Sequence, residues 1–256
     1  MKARVLLLSI VFCSFTLLAL GRDFYQLKIY HVADAQQSAR LDDYLENAYL
    51  PALHRAGIPN VGVFLPIGGP EADGSSKVYV FIPYASYDQF QGLEQVLAAD
   101  NAYQTAGKDY IQASYDQPPY TRIETILLNA FDGAPHAQLT TLTGSKTERV
   151  YELRSYEGPT EAYYHNKVDM FIKGDEIGLF DKLDFNAVFY GEVVAGSRMP
   201  NLMYLTAFES QQSRDDHWDA FFSDPHWKKI SAMPEYQNNV SRNEQTFLYP
   251  AAYSDF

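Results

Sequence analysis

Alternation of apolar and polar positions marks residues 24–32 as a strand, with Tyr25, Leu27 and Ile29 on one face and Gln26, Lys28 and Tyr30 on the other. Residues 37–56 carry a helical pattern, interrupted near Pro51 and stopped by Gly57. A strand over 60–66 follows, then the Gly/Pro-rich loop 67–76 and a strand over 77–84. Residues 86–98 read as a helix, with a second short helix after Asp100 and a strand over 120–129. The pattern then starts again. Strands are expected at 149–156, 185–194, 201–208 and 242–249. Helices are expected at 160–183, broken at Gly174, and at 210–222 and 225–232.

Sequence matches support this internal repetition. Tyr25–Tyr30 (YQLKIY) and Tyr151–Tyr156 (YELRSY) share Tyr-x-Leu-basic-x-Tyr. Val80–Ser86 aligns with Tyr204–Ser210, Asp100 and Tyr103 with Asp224 and Trp227, and Arg122–Thr125 with Arg242–Gln245. The matches keep their order with slowly falling offsets. Each half therefore has the strand-helix-strand-strand-helix-strand order of a ferredoxin-like unit. Such a sheet carries helices on one face, and its other face needs a cover. The expected fold is α+β: two tandem ferredoxin-like repeats forming a pseudo-symmetric dimeric-type α+β barrel. The repeats span 22–130 and 148–256, joined by a linker over 131–147. A monomer with this internal pseudo-dimer, or a homodimer of the whole chain, satisfies the rule.

Residues 1–21 stand apart. Lys2 and Arg4 precede an apolar run from Val5 to Leu20, and Ala19-Leu20-Gly21 puts small residues before a cut at Arg22. This is a signal-peptide pattern, so the chain is expected to be periplasmic or secreted, with no membrane attachment after cleavage. The single Cys of the chain, Cys13, lies in that run, so residues 22–256 offer no disulfide and no thiol nucleophile. The whole chain carries 20 basic and 32 acidic residues, an excess that repels nucleic acid. Its 20 Tyr and 16 Phe suit strands, interfaces and polar-lined cavities.

The second half resembles the NIPSNAP family. The resemblance rests on Tyr151–Tyr156, Leu179-Phe180 with Lys182, and the strand Asn201–Phe208. It continues through Arg214, Trp218, Phe221, the Asp224-Pro225-x-Trp227 turn, and Phe247–Pro250 with Tyr253-Ser254. Ser155, His226 and Ala251 depart from the family pattern. The first half looks like a diverged copy, with Tyr103 in place of Trp227. The resemblance implies the dimeric α+β barrel scaffold, which also serves cofactor-independent monooxygenases, small isomerases and haem-dependent relatives. It implies no catalytic set, and fold alone does not give function.

Candidate chemistry comes from strand faces. Apolar sets are expected against the helices, with polar sets facing the barrel interior. A cavity lined by Lys28, Tyr30, Glu124, Arg154, Tyr156 and Glu244 would then hold a small polar or aromatic ligand. The competing reading pairs Arg154 with Glu244 and Lys28 with Glu124 as register-fixing ion pairs. No cofactor and no metal are expected: no two His stand at i,i+3 or i,i+4, and Walker, GxGxxG and G-x-S-x-G motifs are missing. His165, near Glu161, is a lone ligand candidate, and His165, His217 and His226 are the residues a haem would have to use. In HWDAFFSDPHW (217–227), Asp224 and Pro225 start a new helix, placing the two His-Trp pairs on different helices. The function expected is that of an exported NIPSNAP-domain protein binding a small ligand or a partner protein. The alternative is a cofactor-independent, monooxygenase- or isomerase-like enzyme acting on a small aromatic or carbonyl compound inside the barrel.

Overall fold

The computed structural model describes residues 21–256, so the segment expected to be a signal peptide lies, but for Gly21, outside the described residues. The first repeat runs β1 (Phe24–Val32), α1 (Ala35–Tyr44), a π-helical turn (Leu45–Tyr49), α2 (Leu50–Arg55), β2 (Gly62–Pro66) and β3 (Ser76–Tyr84). It closes with α3 (Tyr87–Ala99), α4 (Asn101–Ala106), α5 (Lys108–Ile111) and β4 (Arg122–Ala130). The second runs β5 (Val150–Glu157), α6 (Glu161–Ile172), α7 (Glu176–Lys182), β6 (Phe189–Ala195) and β7 (Asn201–Phe208). It ends with α8 (Gln211–Ser223), α9 (Pro225–Ile230) and β8 (Arg242–Pro250). No helix among the described residues is long and apolar enough to cross a membrane.

The interruption expected at Pro51 takes the form of a wider turn. Proline has no N–H to give the preceding ladder, and just before it the Leu50 N–H reaches back to the Leu45 carbonyl. Side chains cap the helix starts. Ser86 and Ser210 accept from the backbone N–H of Gln89 and Ser213, opening α3 and α8. Asp100 and Asp224 cap α4 and α9 in the same way.

Strand order is β1-β3-β2-β8-β5-β7-β6-β4, closed into a barrel. Each repeat contributes its own antiparallel sheet, β4-β1-β3-β2 and β8-β5-β7-β6. Two seams join them: Phe64–Pro66 of β2 pairs with β8, and Leu127–Ala130 of β4 pairs with β6. The seams leave neither repeat with a free sheet edge, which is what open sheets must otherwise protect.

On β1 and β5 the side-chain faces are the reverse of the expected ones, while Glu124 of β4 and Glu244 of β8 face the interior as expected. Tyr25, Leu27, Tyr151 and Leu153 fill the barrel interior together with Phe64, Phe81, Phe189, Leu205 and Phe256. The faces bearing Lys28 and Tyr30, and Arg154 and Tyr156, lie against the helices. A closed barrel brings two sheets together with no gap for water, so the dry set belongs inside. The layer between helices and sheet reaches solvent at its rim and can hold charge.

Candidate functional site

The six sequence-predicted pocket residues fall in three places. Glu124 and Glu244 share the interior face at one mouth of the barrel, where a small space of about 120 Å³ lies between them and Lys77, Arg198 and Asn201. Glu124 accepts a 2.5 Å hydrogen bond from His31 Nε2, and Glu244 is ion-paired with Arg198. Lys28 faces a cavity between the sheet and helices of the first repeat, with Tyr30 buried beside it. Arg154 and Tyr156 line the equivalent cavity of the second repeat. The single interior pocket and the pairs Arg154–Glu244 and Lys28–Glu124 therefore do not form.

The first-repeat cavity is the larger, about 630 Å³, within the range of small-molecule sites. Tyr44, Tyr49, Tyr84, Tyr103 and Tyr110 line it, with Phe90, Leu93 and Leu97. Exposed Gln91, Glu94 and Ile111 stand at its rim. The tyrosines are mutually braced: Tyr44 stacks on Tyr110 at 3.6 Å and its hydroxyl lies 2.8 Å from that of Tyr103. The Tyr84 hydroxyl donates to Gln26 Oε1 at 2.9 Å. Burial raises the hydroxyl pKa values of Tyr44, Tyr49 and Tyr84, so they remain neutral donors.

Among the described residues Lys28 is the one cation lining this cavity. Among the described residues no carboxylate lies within ion-pair distance of it. Its ammonium sits 5.0 Å from the centroid of the Tyr49 ring and 5.1 Å from that of Tyr30. Burial, with no anion to offset it, pushes the Lys28 pKa down to about 8.

The second-repeat cavity holds about 310 Å³. Beneath it the fully buried Glu152 accepts four hydrogen bonds, from Arg154 Nε, Arg214 Nε, Arg214 Nη2 and Trp218 Nε1. Burial alone would raise its pKa. The Arg214 hydrogen bonds, the Arg154 charge and the Trp218 hydrogen bond outweigh this and hold the carboxyl below its usual value. Lys167 Nζ donates to Glu176 at 2.8 Å.

Counting from the capping serines explains the difference in size. Phe90, Glu94, Leu97 and Ala98 of α3 stand where α8 has Arg214, Trp218, Phe221 and Phe222. Where α8 narrows the helix–sheet space with buried Trp218 and Phe221, α3 leaves it wider. Residues 149–255, the half with this narrower cavity, match the NIPSNAP family model. This half is therefore a NIPSNAP domain. The whole chain is similar in fold to the "putative monooxygenase" of Lactobacillus acidophilus NCFM, with TM-score 0.57 and 13% identity over 90% of this chain and 94% of that one. It is also similar to a "Putative monooxygenase" of Fusobacterium nucleatum, with TM-score 0.55 and 9% identity over 90% of this chain and 93% of that one. A NIPSNAP-like domain protein of Burkholderia xenovorans aligns with 42% of this chain and 89% of its own, at 18% identity and TM-score 0.37. No curated protein matches the sequence.

The NIPSNAP half also places the histidines. His217 and His226 each donate a ring N–H to a backbone carbonyl, of Ser213 and Gly174 respectively. His165 is exposed on α6 beside Tyr164. Among the described residues no group of three or more His, Cys, Asp or Glu is placed to hold a metal ion. The residues that sequence reasoning missed are Arg214 as a partner of Glu152, the Lys167–Glu176 pair, and the helix-borne tyrosines around Lys28. The high Tyr count was the available signal for the last of these.

Proposed function

We propose that the protein binds a small aromatic compound bearing an acidic oxygen, of the phenol class, in the cavity around Lys28. The observation that carries this reading is an unpaired ammonium facing an aromatic cavity of ligand size. Tyrosine rings would pack the aromatic body, and Lys28 would supply the charge that holds its oxygen. A second reading makes the site that of a cofactor-independent enzyme. It is favoured by the lowered Lys28 pKa, which leaves a substantial share of neutral amine near pH 8 to accept a phenol or enol proton.

Titration with para-nitrophenol, followed by its visible absorbance, tests the binding. Saturable uptake as the phenolate is expected, weakened about tenfold or more in Lys28→Met. Absence of saturation, or an unchanged response in the variant, overturns the reading. The catalytic version adds turnover that rises as pH increases through 8, as the amine loses its proton.

Export belongs to the same proposal, supported by the charged and apolar pattern of residues 1–21. Mass spectrometry of the protein from its native host is expected to find Arg22 as the first residue; an intact N-terminus would refute cleavage there.

A further inference from the structure

We infer that the helix–sheet cavity of the NIPSNAP half is a second, separate site, and that it takes a small carboxylate with an aromatic or other apolar body. Its wall carries two cations, Arg154 and Lys167, each only 5% exposed, against one carboxylate, Glu176. That carboxylate is already engaged by Lys167. Glu152, behind the wall, is saturated by its four donors, and Arg214 is answered at the surface by the half-exposed Asp215.

Hydrogen-bonding capacity is left over on the donor side. The Arg154 guanidinium uses Nε on Glu152 and Nη1 on the Tyr156 hydroxyl, and its Nη2 makes no hydrogen bond among the described residues. Lys167 spends one N–H on Glu176 and another only on the weakly accepting Met170 sulfur at 3.4 Å. Donors of this kind call for an acceptor-only group, and a planar carboxylate matches the free edge of a guanidinium.

The rest of the lining has a flat aromatic side and a polar side of Ser231, Gln237, Asn239 and Asn243. Trp218 lies under Arg154, with 3.7 Å between the guanidinium carbon and the ring centroid, and Trp227, Phe221 and Met170 join it on the apolar side. A volume of about 310 Å³ is at the lower end for ligand pockets and suits a single ring.

The chain has two tryptophans, and both line this cavity. Tryptophan emission therefore reports on this site and not on the Lys28 cavity, so the two proposals succeed or fail separately. The probe is benzoate, with benzamide as its uncharged counterpart. Benzoate is expected to give a saturable change in emission, and benzamide to bind about tenfold or more weakly. Arg154→Gln is expected to remove that preference. Because this variant also strips a partner from buried Glu152, Ser231→Phe provides the second test. Ser231 lines the cavity and makes none of the network's bonds, so the added ring is expected to block benzoate while the circular dichroism spectrum stays native. No saturable change with benzoate, equal binding of benzamide, or undiminished benzoate binding in folded Ser231→Phe overturns the inference.

Discussion

Lys28 works against the stability of the fold that holds it. Burial lowers its pKa to about 8, so at neutral pH the folded state keeps a charge that the unfolded chain would hydrate better. Lys28→Met is therefore expected to stabilise the protein at pH 7 by about 1–3 kcal/mol, read as a higher denaturant midpoint. The sign with pH follows from the direction of the shift. Between pH 8 and the ordinary lysine value the unfolded chain binds more protons than the folded one, so wild-type stability rises with pH through that window and the advantage of the variant shrinks. A midpoint that falls in the variant at pH 7 would show that the ammonium is held by a partner. A destabilising residue in a ligand-sized cavity fits binding better than packing.

At the scale of elements, much was legible. The Tyr-x-Leu-basic-x-Tyr strands and the Asp-Pro start of α9 each stand where local chemistry puts them. Period-two alternation separated the two faces of β1 and β5 correctly but could not say which face met the helices. In β5 every residue from Val150 to Tyr156 is buried, and in β7 every residue is, so neither face is marked by exposure. The missing information was closure. Once the sheets meet edge to edge, the face with Leu153 turns into the mainly apolar interior, and Arg154 is turned toward α8. The Glu152 network was illegible for a related reason. Arg214 and Trp218 lie 62 and 66 residues away on a helix whose docking only the closed barrel determines.

At the scale of the molecule, one chain supplies both halves of a barrel. The seams β2–β8 and β4–β6 show what each half would lack alone: an edge partner on both sides of its sheet and a cover for its apolar face. Residues 148–256 produced alone are therefore expected to self-associate, rebuilding an eight-stranded barrel from two copies. Light scattering would register a dimer, while a folded, stable monomer of that fragment would show that the seams are dispensable.

The seams have one more consequence. A barrel made from two identical chains must carry every substitution twice, so neither of its cavities can change without the other. Joining the halves through 131–147 removes that constraint. One helix can then keep Arg214 and Trp218 over a saturated carboxylate, while its counterpart carries Phe90 and Glu94 beside a wide, tyrosine-lined space. Covalent linkage thus lets a single scaffold hold two pockets of different size and charge.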